Sequence, residues 1–264
     1  MTATLSTLYR YPVKSMHGQT LPHSDISPLG LPDDRAWMLA DADGRFITGR
    51  ELPQLVTLHA TPDDTGLTLR SADGSQCRAE RAEFTHKLPV QVWKDGFAAW
   101  RGAAEADAWL SAQLGRPVHL IHTGDTQRRV RRYPDVPLSF ADGYPLLLIG
   151  EASRLQLSEW VGRDMAMARF RPNLVVSGAE AFAEDGWTRI RIGEVTFRLV
   201  KPCERCVFTT LDPETGEKSA DQEPLRTLAK RRKGEGGVLF GQNVIAENAG
   251  RLEPGMAVEV LETA

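Results

Sequence analysis

The chain has 264 residues, of which 41% are hydrophobic and 25% charged, with a formal net charge of -3 and a pI near 6.1. This balance excludes a disordered chain and gives no overall attraction to nucleic acid, while the length allows two domains or one large β-rich unit. Three cysteines make no disulfide framework, the first seven residues lack a basic-then-apolar leader, and the apolar run Leu146-Leu147-Leu148-Ile149 is too short to span a bilayer, so a reducing cytoplasm without membrane contact is expected.

From residue 4 to about 92, short apolar stretches alternate with the turn signals Leu29-Gly30, Asp43-Gly44, Asp64-Thr65-Gly66 and Asp73-Gly74. Trp37 to Thr48 and Leu67 to Cys77 read as strand-turn-strand units, and several such hairpins predict a barrel or sandwich. Helical spacing of Ala106, Trp109, Leu110 and Leu114, followed by Gly115 and Pro117, predicts a helix over 103–114 that closes the first half. Residues 123–135 are polar, basic and proline-containing. They form a domain boundary or a long functional loop, and the run Arg128 to Arg132 reads first as a solvated face and second as a place to meet an anionic ligand.

A second helix is predicted over 151–160, after Leu146 to Ile149 and before Gly162. Strands are predicted at 173–177, 189–192, 195–200 and 207–211, with closing strands at 241–246 and 257–261. Pro224 at a first turn, terminal cations and Gly234 mark a third helix over 224–233. The fold class expected is mainly β (α+β), with two β-barrel-like domains, 1–122 and 123–264, decorated by a few helices.

Chemistry concentrates in Lys201-Pro202-Cys203-Glu204-Arg205-Cys206. A thiol beside Lys and Arg should ionise more readily than a free one, and the thiolate attacks electrophiles or binds soft metals. Cys-x-x-Cys supplies half of a zinc site, but no second ligand pair is evident: His119 and His122 stand three apart in a predicted strand and point to opposite faces. A thioredoxin-like dithiol needs a βαβ setting that is missing. Phosphate loops, dinucleotide fingerprints and hydrolase elbows have no matching sequence. Cations embedded in apolar or turn-rich segments remain: Lys14-Ser15, Arg35 and Arg171.

Together these segments resemble a known family. Tyr11-Pro12-Val13-Lys14-Ser15 with Asp34-Arg35-Ala36-Trp37 resembles the N-terminal β-barrel domain that accompanies MOSC domains. Phe140-Ala141-Asp142-Gly143-Tyr144-Pro145, Arg169 to Val176, Ala183-Glu184-Asp185-Gly186-Trp187 and Lys201 to Gly216 resemble the MOSC domain itself. The resemblance points to the group of the mitochondrial amidoxime-reducing component, and it implies a molybdenum cofactor (molybdopterin and Mo) and reduction of N-hydroxylated small molecules. It makes Cys206 the catalytic thiolate ligand of the metal, with Cys203 a neighbour without metal contact. It implies that Lys14, Ser15, Arg35, Arg171 and Asn173 hold the pterin and its phosphate, and that Asp142, Gly143 and Tyr144 line the metal side. Glu204 and Arg205 flank the ligand, Glu204 standing where a small polar residue is common. Three cysteines cannot hold a two-iron cluster, so the resemblance implies a separate electron donor, a flavoprotein or iron-sulfur protein, acting on a monomer. A cofactor or sulfur carrier is the alternative that the resemblance leaves open.

Overall fold

The computed structural model describes residues 2–125 and 128–264. Its largest sheet runs, in order, Gln19–Leu21, Thr4–Arg10, Leu174–Ser177, Leu146–Gly150, Gly237–Ala246, Val195–Glu204, Trp187–Ile192 and Val258–Thr263. Neighbours are antiparallel except Leu146–Gly150 and Leu174–Ser177, which are parallel. A parallel pair needs a long crossover, and helix α2, residues Glu151–Val161, lies within it.

The first half folds mostly into a second sheet, Phe46–Ile47, Trp37–Ala40, His119–His122, Asp95–Arg101 and His86–Val92. A bridge between Arg45 and Gln91 joins its two edges and curls it toward a barrel. The hairpin strands His59–Pro62, Gly66–Arg70 and Gln76–Glu80 form a third sheet, and helix α1, Ala104–Leu114, packs into the same core. Its Ala106, Leu110 and Leu114 are buried and Trp109 partly so, as their spacing predicts, and Gly115 ends the helix at φ 66°. A left-handed residue there costs glycine little.

The two halves are interlocked. Strand Thr4–Arg10 pairs with Leu174–Ser177, and Ser24–Ile26 pairs with Gly250–Leu252. Leu5 and Leu8 lie fully buried in the core of the second half, beside Leu146, Leu148, Ile190 and Val244. The chain thus crosses into the far sheet before it builds its own barrel.

Several predicted elements differ: strands Val195–Glu204 and Gly237–Ala246 run longer than expected, and the stretch read as a boundary or loop carries the short paired strands Arg129–Val130 and Tyr133–Pro137. Residues 207–211 form no strand: Val207–Thr210 is a 3-10 helix. The Thr209 hydroxyl donates to Cys206 O at 3.0 Å and the Thr210 hydroxyl to Val207 O at 2.7 Å, and such local bonds compete with a ladder despite β-branching. Helix α3 is shorter than expected, Leu225–Arg231, with Pro224 at its N-cap. None of the described helices is long and apolar enough to cross a membrane.

Candidate functional site

Two short segments of the first half build one wall. Tyr11 N donates to Asp34 Oδ1 at 2.8 Å, Arg35 N to Tyr11 O at 2.7 Å and Lys14 N to Trp37 O at 2.8 Å. This zips residues 11–15 to 34–37. Ser15 and Arg35 are held at φ 71° and 49°, and Arg171 across the cavity at φ 56°. Non-glycine residues rarely adopt such angles, and where they do the surroundings impose them, often at functional sites.

Two guanidinium groups pack on the Tyr11 ring, Arg171 at 4.1 Å and Arg35 at 4.5 Å from its centroid. Burial pushes the Tyr11 phenol well up, against the opposing charges of Arg171 and Arg35, so it stays neutral. Arg171 is pushed down to about 10 by burial and then by the charge of Arg35, which still leaves it charged at neutral pH. Its Nη1 donates to Met16 O at 2.6 Å, while Nη2 has no partner among the described residues. Arg35 donates to Asp34, to Asn173 Oδ1 at 2.9 Å and to Arg171 O at 3.1 Å. The Asn173 amide also accepts from Leu147 N at 3.2 Å and donates to Tyr9 O at 3.1 Å, so its polar atoms are engaged within the protein and it props Arg35.

Lys14 is buried, donates to Phe140 O at 2.8 Å and forms an ion pair with Asp142. Burial pushes its ammonium down, opposed by the charge and hydrogen bond of Asp142. Crowding pushes the Asp142 carboxyl up, but Lys14, the Trp93 indole at 3.0 Å and nearby Arg50 outweigh it and hold the group below the usual carboxylate range.

The opposite wall is the Cys203 to Thr209 segment. Cys206 is exposed and extended, directly before the 3-10 turn. The two cations expected beside it have other partners: Arg205 Nη1 lies 3.1 Å from Cys203 Sγ and Nη2 donates to Phe170 O at 2.6 Å, while Lys201 pairs with Glu204 at 2.6 Å. Phe208 closes the seam with the first half, since a Cβ on Gly49 would meet its ring at 2.7 Å. Among the described residues, no three His, Cys, Asp or Glu side chains cluster to hold a metal ion, so the half zinc site is not completed.

These walls enclose a cavity of about 160 Å³. Lys14, Ser15, Arg35, Asp142, Gly143, Tyr144, Arg171, Asn173, Glu204, Arg205 and Cys206, all expected from the sequence, line it. So do residues the sequence reading did not assign: Thr48, Arg50, Arg169, Phe208, Thr209 and Asn243. Arg169, Phe208 and Thr209 sit inside motifs already singled out. Arg50 carries no local signal, because only the barrel brings it opposite Asp142. Arg169 anchors the Asp212 turn, reaching Leu211 O and Asp212 Oδ2, each at 2.7 Å.

Residues 2–117 match the MOSC N-terminal beta barrel domain and residues 135–259 the MOSC domain. The chain is 31% identical to human mitochondrial amidoxime-reducing component 1, over 98% of this chain and 83% of that protein. It is 28% identical to the molybdenum cofactor sulfurase of Solanum lycopersicum, over 98% of this chain and 35% of that protein. Among solved structures, the YUAD protein of Bacillus subtilis aligns over 98% of this chain and 95% of its own, with a TM-score of 0.45 and 12% identity. By its two matched domains and its likeness over nearly the whole length, the chain belongs to the MOSC family that includes the mitochondrial amidoxime-reducing components.

Proposed function

We propose that this protein reduces N-hydroxylated compounds at a molybdenum cofactor held in the cavity between Tyr11–Ser15, Arg171 and Cys206. The observation that carries the reading is the donor set. Six cations (Lys14, Arg35, Arg50, Arg169, Arg171 and Arg205) line the cavity against two carboxylates, Asp142 and Glu204, and one exposed thiol, Cys206. Among the described residues Arg171 Nη2 is a buried donor without an acceptor, and an orphan of this kind asks for a ligand. Forked arginines suit a phosphate and a soft sulfur suits molybdenum, so the residues fit the group.

Bound there, the cofactor supplies the two-electron redox chemistry that cleaves the N–O bond. Cys206 presents its sulfur to the metal from an extended backbone that the following turn fixes. Arg171 and Ser15 hold the anionic part, and Arg35 is kept in place by Asn173 and Asp34. Lys14 fixes Asp142, and with it Gly143 and Tyr144 at the cavity mouth. The overall change is R–NHOH plus two electrons and two protons to R–NH₂ plus water, with the electrons coming from a separate redox protein.

Expression in a host that makes molybdopterin tests this directly. Wild type and Cys203→Ala should retain stoichiometric molybdenum and reduce a simple hydroxylamine with an artificial donor, whereas Cys206→Ala should lose both. Full molybdenum and turnover in Cys206→Ala would sink the assignment. A carrier that hands cofactor or sulfur to another enzyme is the second reading, favoured by the likeness to a molybdenum cofactor sulfurase. It predicts cofactor that exchanges readily to an acceptor with no turnover under any reductant.

A further inference from the structure

A second cleft of about 730 Å³ adjoins the cavity, and Asp142, Gly143 and Tyr144 line both. That volume is in the range of small-molecule sites. Its character differs from that of the inner cavity. One side is aromatic: Phe46, Trp93 and Tyr144. Trp93 is 42% exposed although large and apolar, and its backbone is left-handed at φ 57°. A bulky residue in that conformation is strained. Three contacts fix it: its indole donates to Asp142 Oδ1 at 3.0 Å, Arg50 stacks 4.4 Å from a ring centroid, and Phe46 meets it edge-on at 4.9 Å. The hairpin tip therefore holds a flat apolar surface beside the mouth of the inner cavity, where solvation alone would not keep it.

The other side is cationic. Lys94, Arg129, Arg131 and Arg132 are exposed along the cleft, where the carboxylates are Asp95 and Asp142. Asp142 is paired with Lys14, and Asp95 with both Arg128 and Arg131. Positive charge thus exceeds negative where a ligand would lie, although the whole chain carries a net charge of -3.

We propose that this outer cleft is the substrate subsite, and that it selects planar N-oxygenated compounds carrying a negative charge at the end away from the N–O bond. The planar body lies against Trp93 and Tyr144, the N–O group points past Asp142 into the inner cavity, and the anion meets Arg131 and Arg132. The inference rests on the reductase reading for the chemistry, but the cleft's preference for an anion is measurable without turnover.

The probes are 4-carboxybenzamide and benzamide, planar and unreactive, bound to the purified protein and followed by calorimetry. The carboxylated probe should bind about tenfold more tightly, from two or three partly exposed charge contacts. That margin should shrink in about 0.5 M sodium chloride, where screening is strong. Arg131→Gln with Arg132→Gln should erase the margin and leave benzamide unchanged, and Trp93→Ala should weaken both probes. Equal affinities in the wild type, or a margin that survives the double substitution, would overturn the proposal. Turnover of benzamidoxime and 4-carboxybenzamidoxime by the molybdenum-loaded protein separates the two readings. Turnover without charge preference removes the subsite and keeps the reductase, while the charge preference in binding without turnover removes the reductase and keeps the cleft. If the double substitution slows only turnover driven by a donor protein and spares probe binding, the arginines dock that donor and the subsite is wrong.

Discussion

Three residues that the family resemblance assigns to the cofactor, Ser15, Arg35 and Arg171, share a left-handed backbone. For an L-residue that conformation costs about 1–2 kcal/mol. No composition or period in the sequence marks it, because tertiary contacts impose it: the zip of residues 11–15 to 34–37 holds Ser15 and Arg35, and Arg171 caps the 3-10 helix Met167–Phe170. The residue types were legible only through the motifs around them, and the roles of Arg50 and Asn173 as neighbour and prop emerged only with the fold. Ser15 offers a clean test, since its side chain is nearly buried in the cavity wall. Ser15→Gly relieves the backbone while giving the unfolded chain more freedom, so stability should stay within about 1 kcal/mol of wild type. Molybdenum content should nonetheless fall if the hydroxyl holds the cofactor. Thermal melts and metal analysis on the same preparation read both quantities, and an unchanged metal content would remove Ser15 from the binding set.

At the scale of elements, strands, hairpins and α-helices were largely readable, because alternation and 3.6-residue spacing are local properties. The turn after Cys206 was not. Val207-Phe208-Thr209-Thr210 has strand-like composition, yet its threonine hydroxyls bond back three residues and wind it into a 3-10 helix. This matters for function because the Cys206 carbonyl is one of the acceptors, which ties the exposed thiol to a packed element. Thr209 and Thr210 are buried at 2% and 0% exposure, and their replacement by the near-isosteric valine removes one hydroxyl bond from each, although Cys206 O keeps the Thr209 N–H at 3.1 Å. Each such bond contributes about 0.5–1.5 kcal/mol. Thr209→Val with Thr210→Val should therefore lower the urea midpoint by an amount equivalent to about 1–3 kcal/mol and should also loosen molybdenum retention. A double variant as stable as wild type would mean that the hydroxyl bonds do not hold this turn.

At the scale of the molecule, the sequence suggests two successive domains, while the hydrogen-bond ladder shows that the first strand belongs to the last sheet. Nothing in the local pattern of residues 4–10 distinguishes a strand that stays in its own barrel from one that crosses over. Partner choice is decided by the complementary edge at Leu174–Ser177, some 170 residues away in the register Thr4 to Ser177. The consequence is energetic. Leu5 and Leu8, fully buried in the second core, contribute about 2–3 kcal/mol each by burial, and the strand also satisfies one edge of Leu174–Ser177. Together this is comparable to a typical margin of about 5–15 kcal/mol for a folded protein. The fragment 123–264 expressed alone should therefore lack a cooperative unfolding transition and bind the dye ANS, whereas co-expression with 1–122 should restore both a single transition and the native near-ultraviolet circular dichroism. Should the isolated fragment unfold cooperatively at the midpoint of the full chain, the crossing strand would be an attachment and not a part of the core. The cavity inherits this arrangement, because Tyr11 to Ser15 follow directly from the crossing strand and face Arg171, which precedes the strand that receives it.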